Sequence, residues 1–100
     1  MESGAQGTIE ELTSGIRKVV LSFAAHHHLS PREGETLLLA AAGLVNKEIA
    51  NALGVSHKTI GEYWSRIFHK TQCQDRARVL AKFISESLSE PDLAPPNSGR

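Results

Sequence analysis

The sequence has a single cysteine, which cannot form an internal disulfide and so points to a reducing compartment. Long apolar runs are missing, and nothing approaches the roughly 18 residues that a bilayer crossing needs. The N-terminus, MESGAQGTIEE, has neither the basic start nor the apolar stretch of a signal peptide. Charge of one sign is absent as well. Eleven Lys and Arg balance eleven Asp and Glu, so no global field draws the chain to a polyanion. Aromatics make up only 5% of the 100 residues, and a domain this small buries only about 60% of its unfolded surface. The core must therefore come mainly from Leu, Ile, Val and Ala. What is present is ordinary: 40% hydrophobic residues, enough to argue against wholesale disorder. One small domain with tails, in a soluble cytoplasmic protein, is the class these absences leave open.

The zero total hides an asymmetry. Between 29 and 84, Arg32, Lys47, Lys58, Arg66, Lys70, Arg76, Arg78 and Lys82 outnumber the acids, while the segments on either side are net acidic. A mildly basic middle is compatible with phosphate binding but does not by itself imply it.

No strand-period alternation occurs, and helix start and stop signals recur. Thr8-Ile9-Glu10-Glu11 reads as a capping box with Thr8 as N-cap, and Ile9, Leu12, Ile16, Val19 or Val20, and Phe23 follow at spacings of three and four. This predicts an amphipathic helix over about 9–26, whose role is packing on the rest, dimerisation or connection to another domain. Ser30-Pro31-Arg32-Glu33 is a second capping box with proline at the first helical position, and Gly43 stands where a left-handed stop is wanted. Asn46 can cap a third helix ending at Gly54. Ser56 caps a fourth over about 57–70, and Asp75 a fifth over about 76–87. The last stretch, rich in Pro, Ser and Gly, reads as a disordered tail. The division is a flexible N-terminus 1–8, a helix in 9–28, a domain over 29–87 and a tail 88–100.

The stretch NKEIANALGVSHKTIGEYWSRI is the informative one. Ala50 sits where two short helices would cross, Gly54 can take positive φ in the turn, and Ile60 points back into the same small core with Ile49, Leu53 and Val55. An alanine, a glycine and a branched aliphatic at offsets of four and six describe a helix-turn-helix.

LSPREGETLLLAAAGLVNKEIANALGVSHKTIGEYWSRIFHKTQCQDRARVL, about residues 29–84, resembles the DNA-binding domain of LuxR-type (GerE-like) transcription regulators of bacteria. LSPRE opens that domain, NKEIA starts its scaffold helix, VS–KTI enters its recognition helix, and Lys70 and Arg76 follow at family spacing. The resemblance implies an all-α fold: a four-helix LuxR-type helix-turn-helix domain, here preceded by one extra N-terminal amphipathic helix. It also implies that the third helix of the domain enters the major groove of double-stranded DNA, and that the fourth pairs two copies through Val79, Lys82 and Phe83. Lys47, Ser56, His57, Lys58, Thr59 and Lys70 are then the candidates for the phosphate backbone, since a helix N-terminus and flanking cations suit phosphate. Gly61, Glu62, Ser65 and Arg66 are the candidates for base edges, Arg66 toward guanine and Glu62 toward a cytosine amino group. Three positions depart from the family pattern. Gly61 stands where a basic residue is usual, Tyr63 where histidine is, and Val45 where a hydroxyl residue precedes NKEIA.

His26-His27-His28 invites a metal reading, but adjacent residues are expected to point apart, and His57, His69 and Cys73 make no metal spacing. Trp64 reads as core or interface, and Cys73 as a buried inert thiol. There is no phosphate-cradling loop, nucleophile elbow or carboxylate pair, so neither an enzyme nor a cofactor is expected. The expected function is sequence-specific DNA binding in transcription regulation, as a homodimer, with a sensor domain or partner regulator as a further partner and no membrane. The rival is a helix-turn-helix derivative that has lost DNA contacts and docks another protein, a reading that Gly61, Glu62 and the neutral total favour.

Overall fold

The computed structural model describes residues 4–88, with side chains from Gly15 onward. They form α1 (Gly4–His27), α2 (Pro31–Ala41), α3 (Asn46–Leu53), α4 (His57–Thr71) and α5 (Arg76–Leu88), with no strand among the described residues. The fold is the all-α one expected, four helices preceded by an additional one. Most of the expected flexible N-terminus was to precede a helix starting at Ile9. Instead α1 already runs from Gly4, so Thr8 lies inside it and does not cap it. Extending a formed helix adds one hydrogen bond per residue ordered, and no proline in 4–8 blocks the extension. The first three residues of the expected flexible segment lie outside the described residues, as does the expected tail beyond Leu88, which itself closes α5.

The starts of α2, α4 and α5 each follow from a local acceptor. The Ser30 hydroxyl accepts from the Glu33 N–H (3.2 Å), and the Glu33 carboxylate accepts from the Ser30 N–H (2.9 Å), completing the box. The Ser56 hydroxyl accepts from the Thr59 N–H (3.0 Å), and the Asp75 carboxylate from the Arg78 N–H (2.9 Å). The third helix differs from expectation. Val45, not Asn46, is its N-cap, and valine offers no side-chain acceptor, so only the Glu48 carboxylate closes the turn, onto the Val45 N–H (2.9 Å). Asn46 is drawn away by two tertiary donors described below. Val45→Ser should therefore supply the missing half of a capping box and stabilise the chain by about 1 kcal/mol. The check is the urea midpoint, and an unchanged midpoint would mean that Glu48 alone satisfies this helix start.

The ends of α1 to α4 share one closure. His28, Gly43, Gly54 and Gln72 all take positive φ (61°, 103°, 70° and 60°). The next residue in each case returns its N–H to a carbonyl five positions back: Leu29 to Ala24, Leu44 to Leu39, Val55 to Ala50 and Cys73 to Phe68. Those four side chains then pack against the core, so every stop also orients the chain for the following helix.

The core is one cluster. Leu37, Ile49, Ile60, Ile67 and Val79 are fully buried, joined by Val20, Phe23, Trp64 and Phe83. The extra helix α1 packs on α2 and α5, and Phe23 meets Phe83 edge-on with ring centroids 5.5 Å apart. Packing is thus a role its contacts supply. No helix among the described residues is long and apolar enough to cross a membrane.

Candidate nucleic-acid interface

The α3–turn–α4 unit is built as its three signature residues imply. Ala50 is buried between the helices, Gly54 takes the left-handed turn conformation, and Ile49 and Ile60 are wholly enclosed. Burial along α4 then recurs at Ile60, Trp64, Ile67 and Thr71. With 3.6 residues per turn, that leaves the opposite face to solvent. His57, Lys58, Gly61, Glu62, Ser65 and Arg66 all lie on the solvent side, with Ser56 exposed just ahead of them and Thr59 half-buried. Lys47 is exposed at the start of α3.

The N-terminus of α4 carries the unpaired N–H donors of this face. The Ser56 hydroxyl takes the Thr59 N–H, and its carbonyl takes the Ile60 N–H. The N–H groups of His57 and Lys58 have no intrahelical acceptor and carry the positive end of the helix dipole. No carboxylate among the described residues pairs with Lys47, Lys58 or Arg66. The exposed face thus offers unneutralised cations beside unpaired donors, with Glu62 as its one acid. No Cβ built at Gly61 would meet anything within 4 Å, so the position is open.

Lys70 is not brought to this group. It lies twelve residues beyond Lys58, about 18 Å along the helix. Its Nζ donates to Glu33 Oε1 at 2.7 Å, linking α4 to α2. The Glu33 side chain is only 3% exposed. Burial pushes its pKa up, but the Lys70 ammonium together with the Ser30 N–H and hydroxyl outweighs this and holds it below the ordinary 4.5.

A second cluster, which the sequence reading did not assemble, fixes α3 against α4. The Trp64 indole N–H donates to Asn46 Oδ1 at 3.0 Å, and Arg76 Nη1 donates to the same oxygen at 3.0 Å. Arg76 Nη2 donates to the Leu44 carbonyl at 2.6 Å, and its guanidinium lies 5.3 Å from the Trp64 ring centroid. Phe68 stacks on the same side chain, with ring centroids 5.7 Å apart. Trp64 is therefore core, and Arg76, though basic, faces inward. The cluster sets where Lys47, next to Asn46, stands relative to Lys58. The available signal was that a buried tryptophan needs an acceptor.

On α5 the three residues expected to pair two copies do not share one surface. Val79 and Phe83 are buried within this chain, at 0% and 5% exposure, because their spacing turns them toward α1 and α4. Of the three residues only Lys82 reaches solvent in part, and the large apolar side chains that α5 turns outward are Ile84 and Leu88. Cys73 is half-buried, its thiol 3.6 Å from the Thr71 carbonyl. The expectation that adjacent histidines point apart also fails at one pair. The His26 and His27 ring centroids lie 4.8 Å apart, and Glu86 reaches His27 from α5. The pair closes α1, and the rings converge there.

Residues 27–83 match the model of the family described as bacterial regulatory proteins, luxR family. The chain is 38% identical over 60 residues to the "Probable transcriptional regulator ycf29" of Pyropia yezoensis, an alignment covering 60% of this chain and 27% of that protein. It is 27% identical over 85 residues to the tetrathionate response regulatory protein TtrR of Salmonella typhimurium, covering 85% and 39%. It is 32% identical over 65 residues to the transcriptional activator protein AhyR of Aeromonas hydrophila, covering 65% and 25%. The chain thus spans well under half the length of these relatives. No solved structure matches it.

Proposed function

Because the chain belongs to the luxR family of bacterial regulatory proteins, we propose that it binds double-stranded DNA in transcription regulation, with α4 in the major groove. The observation that carries this reading is the exposed face of α4, where Lys58, Arg66 and neighbouring Lys47 have no acidic partner among the described residues beside a helix N-terminus. Phosphates would take the N–H groups of His57 and Lys58, the Ser56 and Thr59 hydroxyls and the Lys47 and Lys58 ammoniums, which fix position without reading sequence. One or two turns further in, Glu62, Ser65 and Arg66 face base edges, and the open position at Gly61 lets the backbone approach closely. Lys70, held by Glu33, contributes at most long-range charge. Two copies would read two half-sites about 34–36 Å apart. The outward stripe of α5, Ala81, Ile84 and Leu88, supplies the apolar surface for pairing them.

An amide-resolved NMR titration with a mixed-sequence duplex tests this, since non-specific binding of roughly 10⁻⁴–10⁻⁶ M at physiological salt is visible by that method. Shifts should concentrate at residues 56–66 and Lys47 at low salt and fade by about 200 mM, as counterion release requires. Lys58→Glu should abolish the shifts while leaving the helical circular dichroism unchanged. Glu62 on the same face favours the rival reading, a surface for another protein. A chain that gave no shifts at either salt concentration would overturn the DNA reading and favour that rival.

A further inference from the structure

We infer that His26, His27 and Glu86 form a binding site for a divalent transition-metal ion of the zinc type, clasping the end of α1 to the end of α5. The three residues offer ligand atoms that all lie within 4.8 Å of one another. His27 is the fixed member. Its side chain is 11% exposed, its ring lies 4.3 Å from that of Phe23, and its Nε2 faces both Glu86 oxygens at 3.0 and 3.1 Å. A zinc ion bound tetrahedrally to one imidazole nitrogen and one carboxylate oxygen at about 2.0–2.2 Å holds those two atoms about 3.3–3.5 Å apart. The His27–Glu86 pair, at 3.0 and 3.1 Å, needs to open by less than about half an ångström to admit an ion. His26 is exposed and free to swing its ring the remaining ångström or so, and water completes the coordination.

The setting favours a cation in two further ways. Both histidines lie in the last turn of α1, where the helix dipole is negative. Phe23, itself packed on Phe83, backs His27 with an apolar ring, which strengthens the interaction of the ion with its carboxylate. Two imidazoles and one carboxylate suit zinc, nickel or copper and not the oxygen-seeking magnesium or calcium. The match to the family model spans 27–83, so His26 and Glu86 stand just outside its two ends. A bound ion would tie the additional helix to the last one across the whole domain.

The test uses the full chain without a histidine tag, titrated with zinc chloride by calorimetry and by NMR of the histidine rings. One ion per chain should bind, His26 and His27 ring signals should shift, and the melting temperature should rise with zinc concentration. Glu86→Gln, which keeps an acceptor for His27, and His26→Ala should each weaken binding by roughly tenfold or more, at least the loss seen for an outer-shell partner. Two results would overturn the site. One is no binding at millimolar zinc. The other is binding unaffected by Glu86→Gln but lost with His28→Ala, which would mean loose chelation by exposed histidines.

Discussion

Trp64→Ala should remove a large share of the stability of this chain. Truncating a buried tryptophan costs about 3–5 kcal/mol, and a chain of this size has roughly 5–15 kcal/mol in all. The indole is 4% exposed, stacks on Phe68, lies under the Arg76 guanidinium and donates to Asn46. Its loss leaves a cavity between α3 and α4 and removes the apolar face beneath the guanidinium. Urea unfolding followed by circular dichroism at 222 nm gives the number, since the variant lacks the sole tryptophan. Trp64→Phe separates the contributions. It keeps a ring for Phe68 and Arg76 and loses the hydrogen bond to Asn46, whose oxygen still accepts from Arg76. Its cost should be about 1–2 kcal/mol. If Trp64→Ala cost less than about 1 kcal/mol, the cluster would not be what holds α3 against α4.

The second large effect is at the Glu33–Lys70 pair. Lys70→Met should destabilise the chain at neutral pH by about 2–4 kcal/mol, because it leaves a buried carboxylate without its cation. The pH dependence tells this apart from a packing defect. In the natural chain the Glu33 pKa lies below its ordinary 4.5. The stability it contributes is therefore complete above about 4.5 and is lost as the pH falls through the folded value. In Lys70→Met the cation is gone and burial pushes the Glu33 pKa up. Acidification then neutralises the orphaned carboxylate and relieves the variant. The gap between the two proteins, read from urea midpoints between pH 7 and 3.5, should narrow as the pH falls. Glu33→Gln should lose the part of the natural chain's acid dependence that comes from this site. A gap constant across that range would mean that the charge of Lys70 is irrelevant to Glu33.

This pair also bears on what was legible in advance. Lys70 reads as a phosphate contact in the linear sequence because it is a cation on the right helix at family spacing. Only the packing of α2 on α4 brings Glu33 to it, 37 residues away. Arg76 behaves likewise. Its partners Asn46 and the Leu44 carbonyl lie 30 and 32 residues back, and Trp64 reaches Asn46 across 18. His27 and Glu86, separated by 59 residues, could not have been paired from spacing at all. Pattern reading weighs neighbours three to six positions apart, and none of these contacts lies in that range.

The features legible in the linear chain are therefore those that short-range physics controls. Ser30, Ser56 and Asp75 start helices because each carries an acceptor within reach of an N–H two or three residues on. Gly43 and Gly54 stop them because a residue without Cβ takes positive φ at no steric cost. Ile60, Trp64 and Ile67 point inward because a 3.6-residue period leaves them on one face, and the same period turns Lys58, Glu62 and Ser65 outward. The tertiary structure decided the rest. His28 and Gln72 adopt the same left-handed stop with side chains that disfavour it, held there as Leu29 and Cys73 pack on the core. Asn46 gives up capping because Trp64 and Arg76 reach it first, and Val79 and Phe83 face the core because α1 and α4 cover that side of α5. In each case a local preference yields to the burial of apolar area and the pairing of buried polar groups, terms that exist only once the helices have met.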